Sequence, residues 1–118
     1  MARRDSREQV KTMLTFNKLV RDKIPSIIEA SGEKSEFTIL DEKTFIRELK
    51  KKLQEEVNEY LASSTKEAAT EELADILEVI HSLAKTHQVT IDQVEQVRQK
   101  KYEKRGGFEG RCFLVSKE

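Results

Sequence analysis

"EEVNEYLASSTKEAATEELAD", Glu55 to Asp75, decides the fold. Two helical stretches meet at Ser63-Ser64-Thr65, three small hydroxyl residues that break the first helix and cap the second. Each stretch carries carboxylates three residues apart: Glu56 and Glu59 before the turn, Glu72 and Asp75 after it. Surface charge is one explanation and a metal site is the other.

Upstream, Ile46, Leu49, Leu53, Val57 and Tyr60 follow one another at helical steps and form a single apolar face. Asp41 is the expected cap of this helix, with Thr44 as a competing cap. The second helix is expected from about Lys66 to His87, with Leu73, Ile76, Leu77, Ile80, Leu83 and Ala84 along its face. So short a connection predicts antiparallel packing of the two. Thr90 or Asp92 opens a third helix to about Arg105, and Gly106-Gly107 make a turn. Near the start, Pro25 lies in the first turn of a short helix that ends at Ser31-Gly32. Short extended segments are expected at Met13–Val20, Glu36–Leu40 and Cys112–Val115. The predicted fold class is mainly α: an antiparallel helical bundle with a few short peripheral strands. Residues 1–12 read as a polar tail or short helix, and 13–118 as one domain.

The chain has 118 residues, enough for one modest core. Its 22 basic and 22 acidic side chains cancel, so no global excess of charge draws it to nucleic acid or to a membrane surface. No apolar run is long enough to span a bilayer, and residues 1–5 lack the apolar continuation of a signal peptide, which makes the cytoplasm the default location. Cys112 is the single cysteine and reads as a packed, inert thiol within its apolar run.

A helix turns about 100° per residue. With Leu53 as the centre of the first apolar face, Glu56 lies about 60° and Glu59 about 120° to one side, whereas Glu55 lies nearly opposite. With Leu73 as centre on the next helix, Glu72 lies about 100° and Asp75 about 160° to one side. Ala68 and Val79 share that sector, which marks it as covered rather than bathed in water. Glu56, Glu59, Glu72 and Asp75 therefore form the inward-leaning set. Buried unpaired carboxylates repel one another or take up protons, and a divalent cation relieves both costs. All-oxygen donors suit Mg²⁺, with Mn²⁺ as an alternative, rather than Zn²⁺. EExxE alone is a solvated helix face more often than not; its pairing with ExxD across a helical turn is what makes it specific. Glu78 and His81 form one ExxH unit, but a di-iron bundle needs two, and there is no second.

A polyphosphate also needs cations. Lys18, Arg21 and Lys23 precede the short helix, and Lys101, Lys104 and Arg105 cluster at the end of the third long one, where they also complement its negative pole. Lys52 lies on the same edge as Glu56 and Glu59 and offsets their charge.

EExxE at Glu55-Glu56-Glu59 followed by ExxD at Glu72-Asp75 resembles the motif of the MazG-like, all-α nucleoside triphosphate pyrophosphohydrolases. "FNKLVRDKIP" and "KRGGF" resemble the phosphoribosyl-ATP pyrophosphohydrolase-like subgroup, and the resemblance spans roughly residues 16–114. It implies an α-helical homodimer or homotetramer that takes a Mg²⁺-bound nucleotide and cuts between the α- and β-phosphates. By that resemblance Glu56, Glu59, Glu72 and Asp75 are metal ligands, and Glu55 supports a ligand or orients water. By the same resemblance Lys18, Arg21, Lys23, Lys101, Lys104 and Arg105 contact phosphate. The alternatives are phosphoribosyl-ATP pyrophosphatase chemistry in histidine synthesis and a non-enzymatic helical interaction module.

Overall fold

The computed structural model describes residues 15–118, so the expectations for residues 1–12 and for the start of the segment at Met13 lie outside the described residues. Four helices make up the regular structure there: α1 (Ile24–Ala30), α2 (Glu42–Ala62), α3 (Lys66–Thr86) and α4 (Ile91–Arg105). The chain divides into two compact units at Glu48 and Leu49. The first unit contains α1 and the opening of α2; the second contains the rest of α2, then α3 and α4.

Local chemistry sets the helix ends. Asp41 Oδ1 accepts the Thr44 N–H at 2.8 Å, so Asp41, not Thr44, caps α2. That bond favours the ionised form and holds the Asp41 carboxyl below its ordinary range. Thr65 accepts the Ala68 N–H at 3.1 Å and opens α3 one residue after the two serines. Thr90 opens α4 with a reciprocal capping box: Thr90 accepts from the Gln93 N–H, and the Gln93 side chain accepts from the Thr90 N–H. In α1 Lys23 holds the N-cap position, and Pro25 lies in the first turn as its position in the sequence implied. Gly32 takes φ +90°, which lets the Glu33 N–H return to the Ile28 carbonyl and close that helix. Gln88 plays the same part after α3 at φ +59°, with the Val89 N–H bonded to Ala84 O at 3.1 Å.

The apolar faces predicted for α2 and α3 are present, but each buried stripe is rotated. Leu49 is the most buried apolar side chain of α2, and Val79 and Ala84 are those of α3. Leu73, taken as the centre of its face, is half exposed, as is Leu77. Ile76, Ile80 and Leu83 are partly buried, which turns the covered face of α3 about 70° from Leu73, toward Val79. The rotation brings Glu72 further inward than the sequence implied. Helices α3 and α4 pack against each other.

The expected strands are absent among the described residues. Phe37 and Ile39 alternate as a strand should, but both are exposed and no second strand supplies a ladder. Phe113, Leu114 and Val115 are exposed for the same reason. Cys112 is likewise exposed, not packed, and its Sγ lies 3.8 Å from the Gly110 carbonyl oxygen. No helix among the described residues is long and apolar enough to cross a membrane.

Removal of the α3 cap provides a test of this local reading. Thr65→Ala leaves the Ala68 N–H without its acceptor and is expected to lower stability by about 1 kcal/mol. Denaturant unfolding checks it, and Thr65→Ser is expected to keep most of the original stability, because the serine hydroxyl can accept the same bond.

Candidate metal centre

Helix α2 carries Glu56 inside its buried stripe, next to Leu49 in angle and one turn before Glu59. Glu56 is 5% exposed, which makes it the one buried charged side chain among the described residues. Glu59 lies further around the helix and is open to solvent, while Glu72 approaches from α3 and is half-buried. One carboxylate oxygen from each of Glu56, Glu59 and Glu72 lies within 4.8 Å of the other two.

Two of the oxygens in this cluster are left over. Glu56 Oε2 and Glu72 Oε2 are both sealed from water, and neither has a hydrogen-bond partner. A buried acceptor without a donor is costly, and a carboxylate oxygen more so than a neutral one. The Glu72 carboxyl responds by holding its proton. Burial, followed by the proximity of Glu59 and Glu56, raises its pKa from an ordinary 4.5 to about 7. Two like charges this close disfavour each other, which is why the neighbouring carboxylates add to the rise.

Lys52 is the counter-charge. Its Nζ lies 3.3 Å from Glu56 Oε1 and 3.9 Å from Glu55 Oε2. The first pair is nearly enclosed, with the Glu56 side chain 7% exposed. Lys52 thus engages one oxygen of Glu56 and leaves the other, buried Oε2, without a partner. Glu55 is half-exposed, less open than a position opposite the apolar face implies, and Lys52 lies beside it on the helix surface.

The donor set fits a hard divalent cation. Three carboxylates that each bring an oxygen within 4.8 Å of the other two supply hard donors of the kind Mg²⁺ takes. A bound cation would offset the crowding of these carboxylates and favour the ionised form of Glu72.

The other predicted residues are placed as follows. Asp75 is half-buried on α3, one turn past Glu72, and is not among the three converging oxygens. Lys101, Lys104 and Arg105 are exposed in the last turns of α4, where Lys104 and Arg105 complement the helix's negative end. Lys18, Arg21 and Lys23 belong to the first compact unit and are exposed, with Lys18 Nζ 5.5 Å from the centre of the Phe16 ring. His81 is half-buried in α3, and His87 is the residue that terminates that helix, as its position in the sequence implied.

Sequence reasoning found the acidic pairs but gave Lys52 only a general screening role. The signal for its specific role was the i, i+4 spacing from Lys52 to Glu56 on a half-buried edge. Comparison of the chain with family models, with curated proteins and with solved structures gives no match.

Proposed function

We propose that this protein is a Mg²⁺-dependent nucleotide pyrophosphohydrolase. It cleaves the α–β phosphoanhydride of a nucleoside triphosphate or related nucleotide to a monophosphate and pyrophosphate. The observation that carries this reading is the convergence of Glu56, Glu59 and Glu72, with two of their oxygens buried and unpartnered. The motif spacing that resembles the MazG-like enzymes supplies the reaction class.

Glu56, Glu59 and Glu72 would hold the cation, with Asp75 as the fourth carboxylate of the motif. The ion supplies positive charge to phosphate oxygens as the anhydride breaks. The remaining chemistry belongs to the chain. Glu55, which is outside the group of three carboxylates, would orient the attacking water and accept its proton. The water oxygen bonds to phosphorus, the bridging P–O bond breaks opposite it, and its electron pair leaves with pyrophosphate. Lys101, Lys104 and Arg105 are the cations of the second unit that would meet phosphate charge. Positioning and fixed charge account for the rate, and no covalent intermediate is needed.

The same reading includes an antiparallel α2–α3 pair and assembly as a homodimer or homotetramer. Leu61, Leu73, Leu77 and Val97 support assembly: all four are more than half exposed on helices whose core is thin.

The decisive assay measures pyrophosphate release from a panel of nucleoside triphosphates, with Mg²⁺, with Mn²⁺ and with chelator. Release of pyrophosphate and monophosphate is expected only with a divalent ion. A panel without turnover under any of these conditions sinks the enzymatic reading and leaves the helical interaction module in its place.

A further inference from the structure

We infer that Lys52 sets the cation selectivity of the acidic centre by withholding one oxygen of Glu56 from coordination. The inference rests on the metal reading of Glu56, Glu59 and Glu72. The Glu56 carboxylate is divided between two tasks. Its Oε1 is engaged by the Lys52 ammonium at 3.3 Å, while its Oε2 is buried without a partner. Lys52 and Glu56 are four residues apart on α2, so the helix itself keeps the pair in register. The enclosure of Glu56 protects the pair from screening.

A carboxylate with one oxygen engaged offers a cation only the other. A carboxylate with both free can chelate. These two modes suit different ions. Mg²⁺ takes six oxygens at about 2.0–2.1 Å in near-octahedral geometry, which the narrow bite of a chelating carboxylate distorts. Ca²⁺ takes six to eight oxygens at about 2.3–2.6 Å and accepts bidentate carboxylates readily. Lys52 therefore holds Glu56 in the mode that the smaller ion needs. Release of Oε1 opens the mode that the larger ion prefers. Loss of the ammonium also makes the centre more negative, but that strengthens attraction for every divalent ion alike. The ratio of affinities, not either affinity alone, reports the effect.

The test uses the full chain, with Mg²⁺ and Ca²⁺ each titrated by calorimetry and by displacement of Mn²⁺ followed by electron paramagnetic resonance. Lys52→Met is expected to shift the Ca²⁺-to-Mg²⁺ affinity ratio toward Ca²⁺ by about tenfold relative to the unaltered protein. Lys52→Arg, which keeps a cation beside Glu56, is expected to stay near the original ratio. If Lys52→Met loses helicity, Lys52→Leu takes its place. A ratio that does not move in a folded variant, while the unaltered protein binds Mn²⁺ and Glu56→Gln does not, overturns the role of Lys52 and leaves the metal centre standing. An unaltered protein that binds none of the three ions overturns the metal centre and this inference together.

Discussion

Glu56→Gln is expected to abolish pyrophosphate release while far-ultraviolet circular dichroism stays unchanged. The substitution keeps shape and volume at a position that is 5% exposed, so packing is preserved. What changes is the chemistry of one oxygen. The glutamine carbonyl can still accept from Lys52 at the Oε1 position, 3.3 Å away. The other position then becomes an NH₂ group, which is a donor where a cation requires an acceptor. Groups that merely support a metal ligand cost about 10–100-fold when altered, so loss of a ligand itself should cost at least about 100-fold. Steady-state release of pyrophosphate at saturating Mg²⁺ measures the loss. Normal turnover by this variant would remove Glu56 from the site and with it the reading built on the cluster.

The helices were legible because their signals are local. Asp41, Thr65 and Thr90 each stand where a hydroxyl or carboxylate can accept an early N–H, and all three cap the helix that follows. Gly32 needed only its own conformational freedom to close α1. The acidic edge of α2 was legible too, because Glu56 and Glu59 have fixed angles from Leu53. The rest depends on neighbours that periodicity does not report. Leu73 and Leu77 have the composition of a core yet are half exposed, since a single chain provides too little surface to cover every apolar residue. The centre of the α3 face was displaced accordingly, and Glu72 lies further inside than its spacing from Leu73 implied. Strands failed for a related reason. Phe37-Thr38-Ile39 and Phe113-Leu114-Val115 have β-forming side chains, but strand formation depends on a partner's backbone. Glu56, Glu59 and Glu72 of the inward-leaning set each bring an oxygen into one group, and Asp75, the fourth, is outside that group of three.

The metal-free protein is expected to lose thermal stability as pH rises from about 5 to 8, and Mg²⁺ is expected to restore it. The sign follows from Glu72. Its proton leaves near 4.5 in the unfolded chain and near 7 in the folded one. Between those values the folded state binds more protons, so stability falls as pH rises, with the loss complete above about pH 7. Below about pH 4.5 both states hold the proton and Glu72 contributes no slope. Other carboxylates titrate across part of this range, so Glu72→Gln is the control: the variant should lose the part of the slope between pH 5 and 8 that Glu72 supplies. A cation requires the ionised carboxylate and displaces its proton, so its effect should be larger at pH 8 than at pH 5. At about one hundred times its dissociation constant, a ligand specific to the folded state adds about 2.7 kcal/mol. In a chain of this size that corresponds to a rise in Tm of about 10 °C. Thermal melts in chelator and in Mg²⁺ at both pH values test the whole chain of reasoning. A Glu72→Gln protein that keeps the original pH dependence, or a native protein whose Tm ignores Mg²⁺ at pH 8, would mean that Glu56, Glu59 and Glu72 meet without needing an ion between them.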